Sequence, residues 1–307
     1  MDFKRRQFLK MSGNLAALLA LGPVACKLSS NDQKESKEDT TAANSGTVTA
    51  GTALAAFGLQ LYTLRDDLPK DPKGILKQVA SFGYKQIESY EGKDGMFWGM
   101  SNTDFKKYMD DLGMVIVSSH CDINKDFEKK AAEAAAIGMK YLVCPWLGPQ
   151  KKIDDFKKAA DEFNKRGEIC KKNGIRFAYH NHAYSFEPVE GQLGQDVMMT
   201  NTDPDLVDYE MDIYWVAAAG QDTEAWLKKY KNRFRLCHVK DRAKGATPAD
   251  HDASVDLGKG SLDFSRLLKT ASENGMEYYI VEQEKYEGTT PLKSVEANAA
   301  YMKNLKI

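Results

Sequence analysis

The sequence has almost no net charge. Its 43 Lys and Arg and 44 Asp and Glu leave −1 over 307 residues. That balance removes the electrostatic case for nucleic acid, which demands a basic face. Cysteine is sparse, with 5 in the chain and none in a C-x-x-C pair. Three of Cys121, Cys144, Cys170 and Cys237 lie in or beside expected strands, so the four read as small buried hydrophobes rather than disulfides. Long apolar runs are missing, and the run Leu15–Leu21 is too short to span a bilayer. No Gly-rich phosphate loop follows the first expected strand, which counts against a doubly wound open sheet. Histidine is also scarce, at 5 residues, so where those residues fall carries information.

What is present starts with an address. Lys4-Arg5-Arg6-Gln7-Phe8-Leu9-Lys10, then Leu15–Leu21, then a small-residue end, describe an export signal over residues 1–26. The Arg pair followed by Phe-Leu-Lys resembles a twin-arginine signal. Cys26 after Pro23-Val24-Ala25 resembles a lipoprotein cleavage site, although Pro23 sits where Leu is usual. Residues 27–54 are Ser/Thr/Asn/Lys/Glu-rich and read as a disordered linker. The expectation is a periplasmic protein, with lipidation of Cys26 as its candidate membrane tether.

From Phe57 a unit recurs: amphipathic helix, Gly stop, short apolar strand. The stops are Gly83, Gly113, Gly138, Gly174 and Gly275, each suited to the left-handed residue that ends a helix. Asp71 and Pro72 can open a helix whose stripe is Ile75, Leu76, Val79 and Phe82. The expected strands are Phe57–Leu61, Gln86–Ser89, Val115–Ser119, Tyr141–Pro145, Arg176–His180, Val207–Met211, Phe234–Val239 and Tyr278–Glu282. Alternating units of this number over roughly 250 residues predict an α/β chain forming a single (β/α)8 TIM barrel across residues 55–307.

Active sites of such barrels lie at the C-terminal strand ends. The polar residues there are Gln60, Tyr62, Glu88, His120, Trp146, His180, His182, Glu210, Asp212, His238, Lys240, Asp241, Glu282 and Glu284. Four of the 5 histidines belong to this set, whereas chance would scatter them. The fifth, His251, sits in an Asp-rich loop and reads as solvated or as part of a lid. Asp212, His238 and Glu282 come from consecutive strands and form a borderline-hard ligand set for a divalent ion such as Mn, Zn, Fe or Co. A fourth ligand would come from strand five: His182 or His180, with Glu187 the third choice.

His238-Val239-Lys240-Asp241, Tyr179-His180-Asn181-His182 and Glu282-Gln283-Glu284 resemble the xylose-isomerase-like sugar isomerase/epimerase superfamily. So do Glu210–Trp215 followed by Gly220, and Leu257-Gly258-Lys259-Gly260. The resemblance runs from about Phe57 to the C-terminus. It implies divalent-metal ligands at Asp212, His238 and Glu282. Many members place a Glu ligand on strand five, where this chain has Ala178, His180 and His182. In those relatives paired Glu residues on strands five and eight shuttle a proton between adjacent carbons. The departure puts symmetric epimerisation in doubt and resembles the dehydratase and lyase relatives, such as inosose dehydratase. Some exported relatives are thought to act on 3-keto sugars or 3-keto glycosides.

The expected activity is therefore metal-dependent proton abstraction α to a carbonyl, in a lyase, hydratase or isomerase acting on a keto sugar or 3-keto glycoside. His180 is the candidate base, with Glu284 second, and Lys240 would neutralise developing charge. Glu88 and His120 would bind sugar hydroxyls, and Trp146 and Trp215 would wall the sugar's C–H face. The alternatives are a monosaccharide epimerase and an inactive sugar-binding barrel. An abasic-site endonuclease is disfavoured by the near-neutral charge and the export signal. The partner is a small carbohydrate, not nucleic acid, and self-association into a homo-oligomer is left open.

Overall fold

A computed structural model describes residues 52–248 and 250–307. The expected export signal, Cys26 and all but the last residues of the expected linker lie outside them. Eight strands alternate with helices: β1 Gly58–Gln60, β2 Gln86–Tyr90, β3 Val115–His120, β4 Tyr141–Cys144, β5 Arg176–His180, β6 Val207–Asp212, β7 Phe234–Val239 and β8 Tyr278–Val281. Every neighbouring pair is parallel and β1 pairs with β8 as well as β2, so the sheet closes into a (β/α)8 barrel.

The local signals act as their chemistry dictates. Asp71 caps α1 (Pro72–Phe82) by accepting from Gly74 N at 2.9 Å. All five Gly stops carry positive φ, from 67° at Gly113 to 101° at Gly83. Strand one ends earlier than expected. The Gln60 side chain accepts from Tyr62 N, which turns Leu61–Leu64 into a 3-10 helix.

Around the barrel run α2 (Asn102–Asp111), α3 (Phe127–Ala136), α4 (Ile153–Lys172) and α5 (Gly194–Asn201). After them come α6 (Ile213–Ala218), α7 (Thr223–Lys229), α8 (Phe264–Glu273) and α9 (Pro291–Asn304). Among the described residues no helix is long and apolar enough to cross a membrane. Cys121, Cys144, Cys170 and Cys237 are buried and free, as small hydrophobes would be.

Two hydrophobic clusters result. The larger packs helices against the outer faces of the strands. The smaller, Tyr141, Val143, Ala178, Leu236 and Ile280, plugs the barrel interior. Strand side chains repeat every second residue, so the next inward position along each strand lies one layer higher. Above Ala178 comes His180, above Leu236 comes His238, and above Ile280 comes Glu282. The apolar plug is thus the floor on which a polar layer stands.

Candidate active site

Two irregularities in the sheet aim that polar layer. The β2–β3 ladder shifts register between Ile87 and Glu88, and the β6–β7 ladder between Tyr209 and Glu210. In both the extra residue lies on the partner strand, Val117 of β3 and Arg235 of β7, opposite the position before a buried acid, and such bulges re-aim the side chains that follow them. Glu88 and Glu210 are both 0 % exposed.

Glu88 is the hub of the floor. It accepts from Gln60 Nε2 at 2.8 Å and Ser118 Oγ at 2.6 Å, and it contacts His238 Nε2 at 2.7 Å. His120 Nε2 is 3.2 Å away. Burial opposes its ionisation, yet the charges and hydrogen bonds of His120 and His238 hold the carboxyl well below the usual carboxylate range. Glu88 does not line the cleft, so it is not placed to bind a sugar hydroxyl as expected; it orients His238 instead. Glu210 is the second hub, with Oε2 at 2.8 Å from His120 Nε2, 3.0 Å from His180 Nδ1 and 3.4 Å from His238 Nε2. Burial and the neighbouring Glu88 push its carboxyl up to about 7. His120, against burial, is lifted to about 9 by Glu88 and Glu210.

Asp212, His238 and Glu282 form a second buried group beside this one, with His238 common to both. Their nearest ligand atoms lie within 4.8 Å of one another. Asp212 caps α6 with Oδ1, accepting from Trp215 N at 3.2 Å. Asn181 braces it by accepting from Asp212 N and donating to Asp212 O, each at 3.2 Å. That leaves Asp212 Oδ2 buried with no hydrogen-bond partner. It faces His180 Nε2 at 3.8 Å, His238 Nδ1 at 3.9 Å and Lys240 Nζ at 4.0 Å. Glu282 Oε2 is 3.2 Å from His238 Nδ1.

The two groups differ in what they lack. Around Glu88 and around Glu210 Oε2 the atoms already stand at hydrogen-bond distance, although Glu210 Oε1 is buried without a partner and His120, His180, Glu210 and His238 also lie close enough together to hold an ion. Around Asp212 Oδ2 they stand too far apart for hydrogen bonds but within reach of a common cation. An orphaned buried oxygen facing imidazole and carboxylate atoms fits a divalent ion, and the donor set is borderline-hard. Burial pushes Asp212 up to about 7, against the charges of Lys240 and His238. Burial also opposes charge on His238, but Glu210, Glu282 and Glu88 hold its imidazolium well above the ordinary range. Glu282 is held well below the usual range: burial raises it, and Lys240 and His238 more than offset that.

Lys240 is 1 % exposed and its Nζ lies 3.3 Å from Glu282 Oε2, with Glu284 as a second partner. Its ammonium also sits 4.9 Å over the Tyr214 ring and 5.1 Å over the Trp215 ring. Asp241, one residue on, points elsewhere. It accepts from the backbone N–H groups of Arg242, Gly258, Gly260 and Leu262 at 2.8–3.3 Å, pinning the loop before α8. Gln283 likewise points away from Glu282 and Glu284, donating to Asp256 and accepting from Asn298. The alternation of both motifs is the alternation of a strand.

A cleft of about 690 Å³ opens above, lined by His120, His180, Glu282 and Glu284 at its base. Its walls include Tyr62, Trp146, His182, Trp215 and His251. Trp146 is 56 % exposed and packs edge-on against His182 and Tyr184. His182 does not stand among the atoms gathered round Asp212; it sits in this aromatic wall, its Nδ1 buried without a partner. Burial, with the charge of Lys240, lowers it to about 3. Of the strand-five alternatives, His180 is the one beside Asp212. Glu187 lines the cleft from an exposed position. Sequence reading named Glu210 as a strand end and gave it no role. The signal was its i, i+2 relation to Asp212, which puts both on one face of β6.

Comparisons with known proteins agree with this architecture. Residues 76–305 match the family described as xylose isomerase-like TIM barrel. An inosose dehydratase of Clostridium perfringens is 30% identical over 145 residues, 43% of this chain and 48% of the relative. The chain thus spans about half the length of the curated relatives it matches. A solved sugar phosphate isomerase/epimerase from Parabacteroides distasonis is 33% identical, with TM-score 0.69, covering 83% of this chain and 95% of that one. The zinc-bound IolI protein shares the fold at TM-score 0.67 and 16% identity, covering 80% of this chain and 95% of that one.

Proposed function

Since the chain belongs to the xylose isomerase-like TIM barrel family, we propose that it removes a proton α to the carbonyl of a keto sugar, in a metal-assisted dehydration or isomerisation. The observation that carries this reading is the meeting of Asp212, His238 and Glu282, from three adjacent strands, around an oxygen that has no protein partner. These three would hold the ion, with His180 Nε2 the nearest strand-five atom. When bound, the ion supplies a Lewis acid that stabilises the negative charge of an enolate.

The chain's own residues do the rest. His180 takes the proton. Burial and then the charge of His238 hold its imidazole well below its ordinary pKa, so a ring nitrogen is unprotonated at neutral pH. Lys240 is a fixed cation, raised far above the usual ammonium range by Glu282, Asp212 and Glu284 against its burial. It therefore stays charged and offsets negative charge arising beside it. Glu284, at the base of the cleft and tied to Lys240, is placed to hold a sugar hydroxyl. Trp146 and Trp215 offer apolar faces that exclude water and orient a ring.

The inosose dehydratase similarity and the unlike strand five support dehydration over two-base epimerisation. Two keto substrates in deuterated buffer, an inosose and a 3-keto glucoside, test the reading by NMR. Deuterium entry or proton loss at the α-carbon, followed by elimination or isomerisation, is the expected result. A fully loaded enzyme that exchanges no α-proton on either would overturn it. His180→Asn should lower turnover far more than metal content.

The reading extends to place. The paired Arg5 and Arg6 and the Cys26 context support export to the periplasm with lipid attachment.

A further inference from the structure

Glu210 is sealed beneath the cleft and cannot touch a substrate: it is 0 % exposed and absent from the lining. Nonetheless three imidazole nitrogens converge on its Oε2, those of His120, His180 and His238. We infer that Glu210 is a positioning residue whose carboxylate fixes the His180 proton on Nδ1 and thereby leaves Nε2 bare toward Asp212 and the cleft. The inference rests on the assignment of His180 as base and deepens it.

The geometry decides the tautomer. A neutral imidazole has one N–H and one lone pair, and the acceptor it meets selects which nitrogen keeps the proton. His180 Nδ1 has the Glu210 oxygen at 3.0 Å. Its Nε2 has no acceptor within hydrogen-bond distance, the Asp212 oxygen being 3.8 Å away. Around it the other rings, His238 at 4.5 Å, His182 at 4.9 Å and His120 at 5.1 Å between centroids, present no oxygen. Only the Nδ1–H form gives the proton a partner. Glu210 is the register partner of His180 in the β5–β6 ladder, which sets the two side chains next to each other. His238 differs, because Glu88 Oε1 stands 2.7 Å from its Nε2 and Glu282 Oε2 3.2 Å from its Nδ1, so both of its nitrogens meet an acceptor. His180 alone then turns a bare nitrogen toward that space, which suits a base.

The test is the nitrogen-15 spectrum of the histidines in the folded chain, with and without zinc. His180 is assigned by its disappearance in His180→Gln. The wild type should show a protonated Nδ1 and a bare Nε2 on His180, and a protonated Nε2 there overturns the inference without any variant. In Glu210→Ala the Nδ1–H signature should vanish and kcat fall at least tenfold, with KM within twofold and zinc content kept. An unchanged tautomer in that variant also overturns it. Failure of the functional reading looks different, because a chain that turns over no keto sugar still reports where its His180 proton lies.

Discussion

At the residue scale, Asp212 does three things with one short side chain. Oδ1 caps α6, the backbone is clamped by Asn181, and Oδ2 is left for a partner outside the chain. Asp212→Asn keeps the capping oxygen and removes the charge. Metal affinity should fall by about 100-fold or more, while stability moves by no more than about 1 kcal/mol. Metal analysis and urea unfolding of the same sample check both halves.

The proton balance gives a second prediction. A cation binding here must displace the proton that Asp212 holds with a pKa of about 7, and that on His238. Both are raised, so the protonated forms gain as pH falls, and affinity weakens in the acidic direction. It should drop by about tenfold per pH unit below 7 for each proton displaced. Calorimetry in two buffers of different ionisation enthalpy would count those protons. An affinity flat between pH 6 and 8 would rule the scheme out.

At the element scale, the loop between β7 and α8 depends on Asp241 and a close glycine. A Cβ on Gly260 would overlap the Asp241 carboxylate and the Arg242 carbonyl oxygen. Gly258 adds a left-handed φ of 82°. Gly260→Ala should therefore destabilise the fold by roughly 1–3 kcal/mol through forced displacement of that carboxylate, measurable by chemical denaturation. The sequence showed the Gly-Lys-Gly pattern and its place. It did not show that the neighbour of the site lysine, Asp241, is what the glycines fold around.

At the scale of the whole molecule, residues 52–307 form scaffold and candidate site, and the proposal gives residues 1–26 the part of an address. The export proposal predicts that replacing both Arg5 and Arg6 with Lys retains the chain in the cytoplasm, and that Cys26→Ser releases it from the membrane fraction without changing its activity. Cell fractionation reads both. A wild-type chain found wholly in the cytoplasm would remove the location from the reading.

The barrel was legible because its signals are local. Glycines after helices, caps before them and a two-residue alternation along strands are set by backbone sterics and by which face meets water. The convergence of strand ends followed from the barrel's symmetry, so Asp212, His238 and Glu282 could be paired before any coordinates. Three-dimensional packing alone decided which members of the polar set face the cleft and which lie under it. His182 and His180 are equivalent by alternation, but the strand ends at His180, so one ring drops onto Glu210 and the other joins Trp146 in the wall. Register shifts with the extra residue on β3 and β7 set which residues of those strands stand opposite Glu88 and Glu210, and such a pairing between distant strands is not written in the periodicity of either acid's own strand.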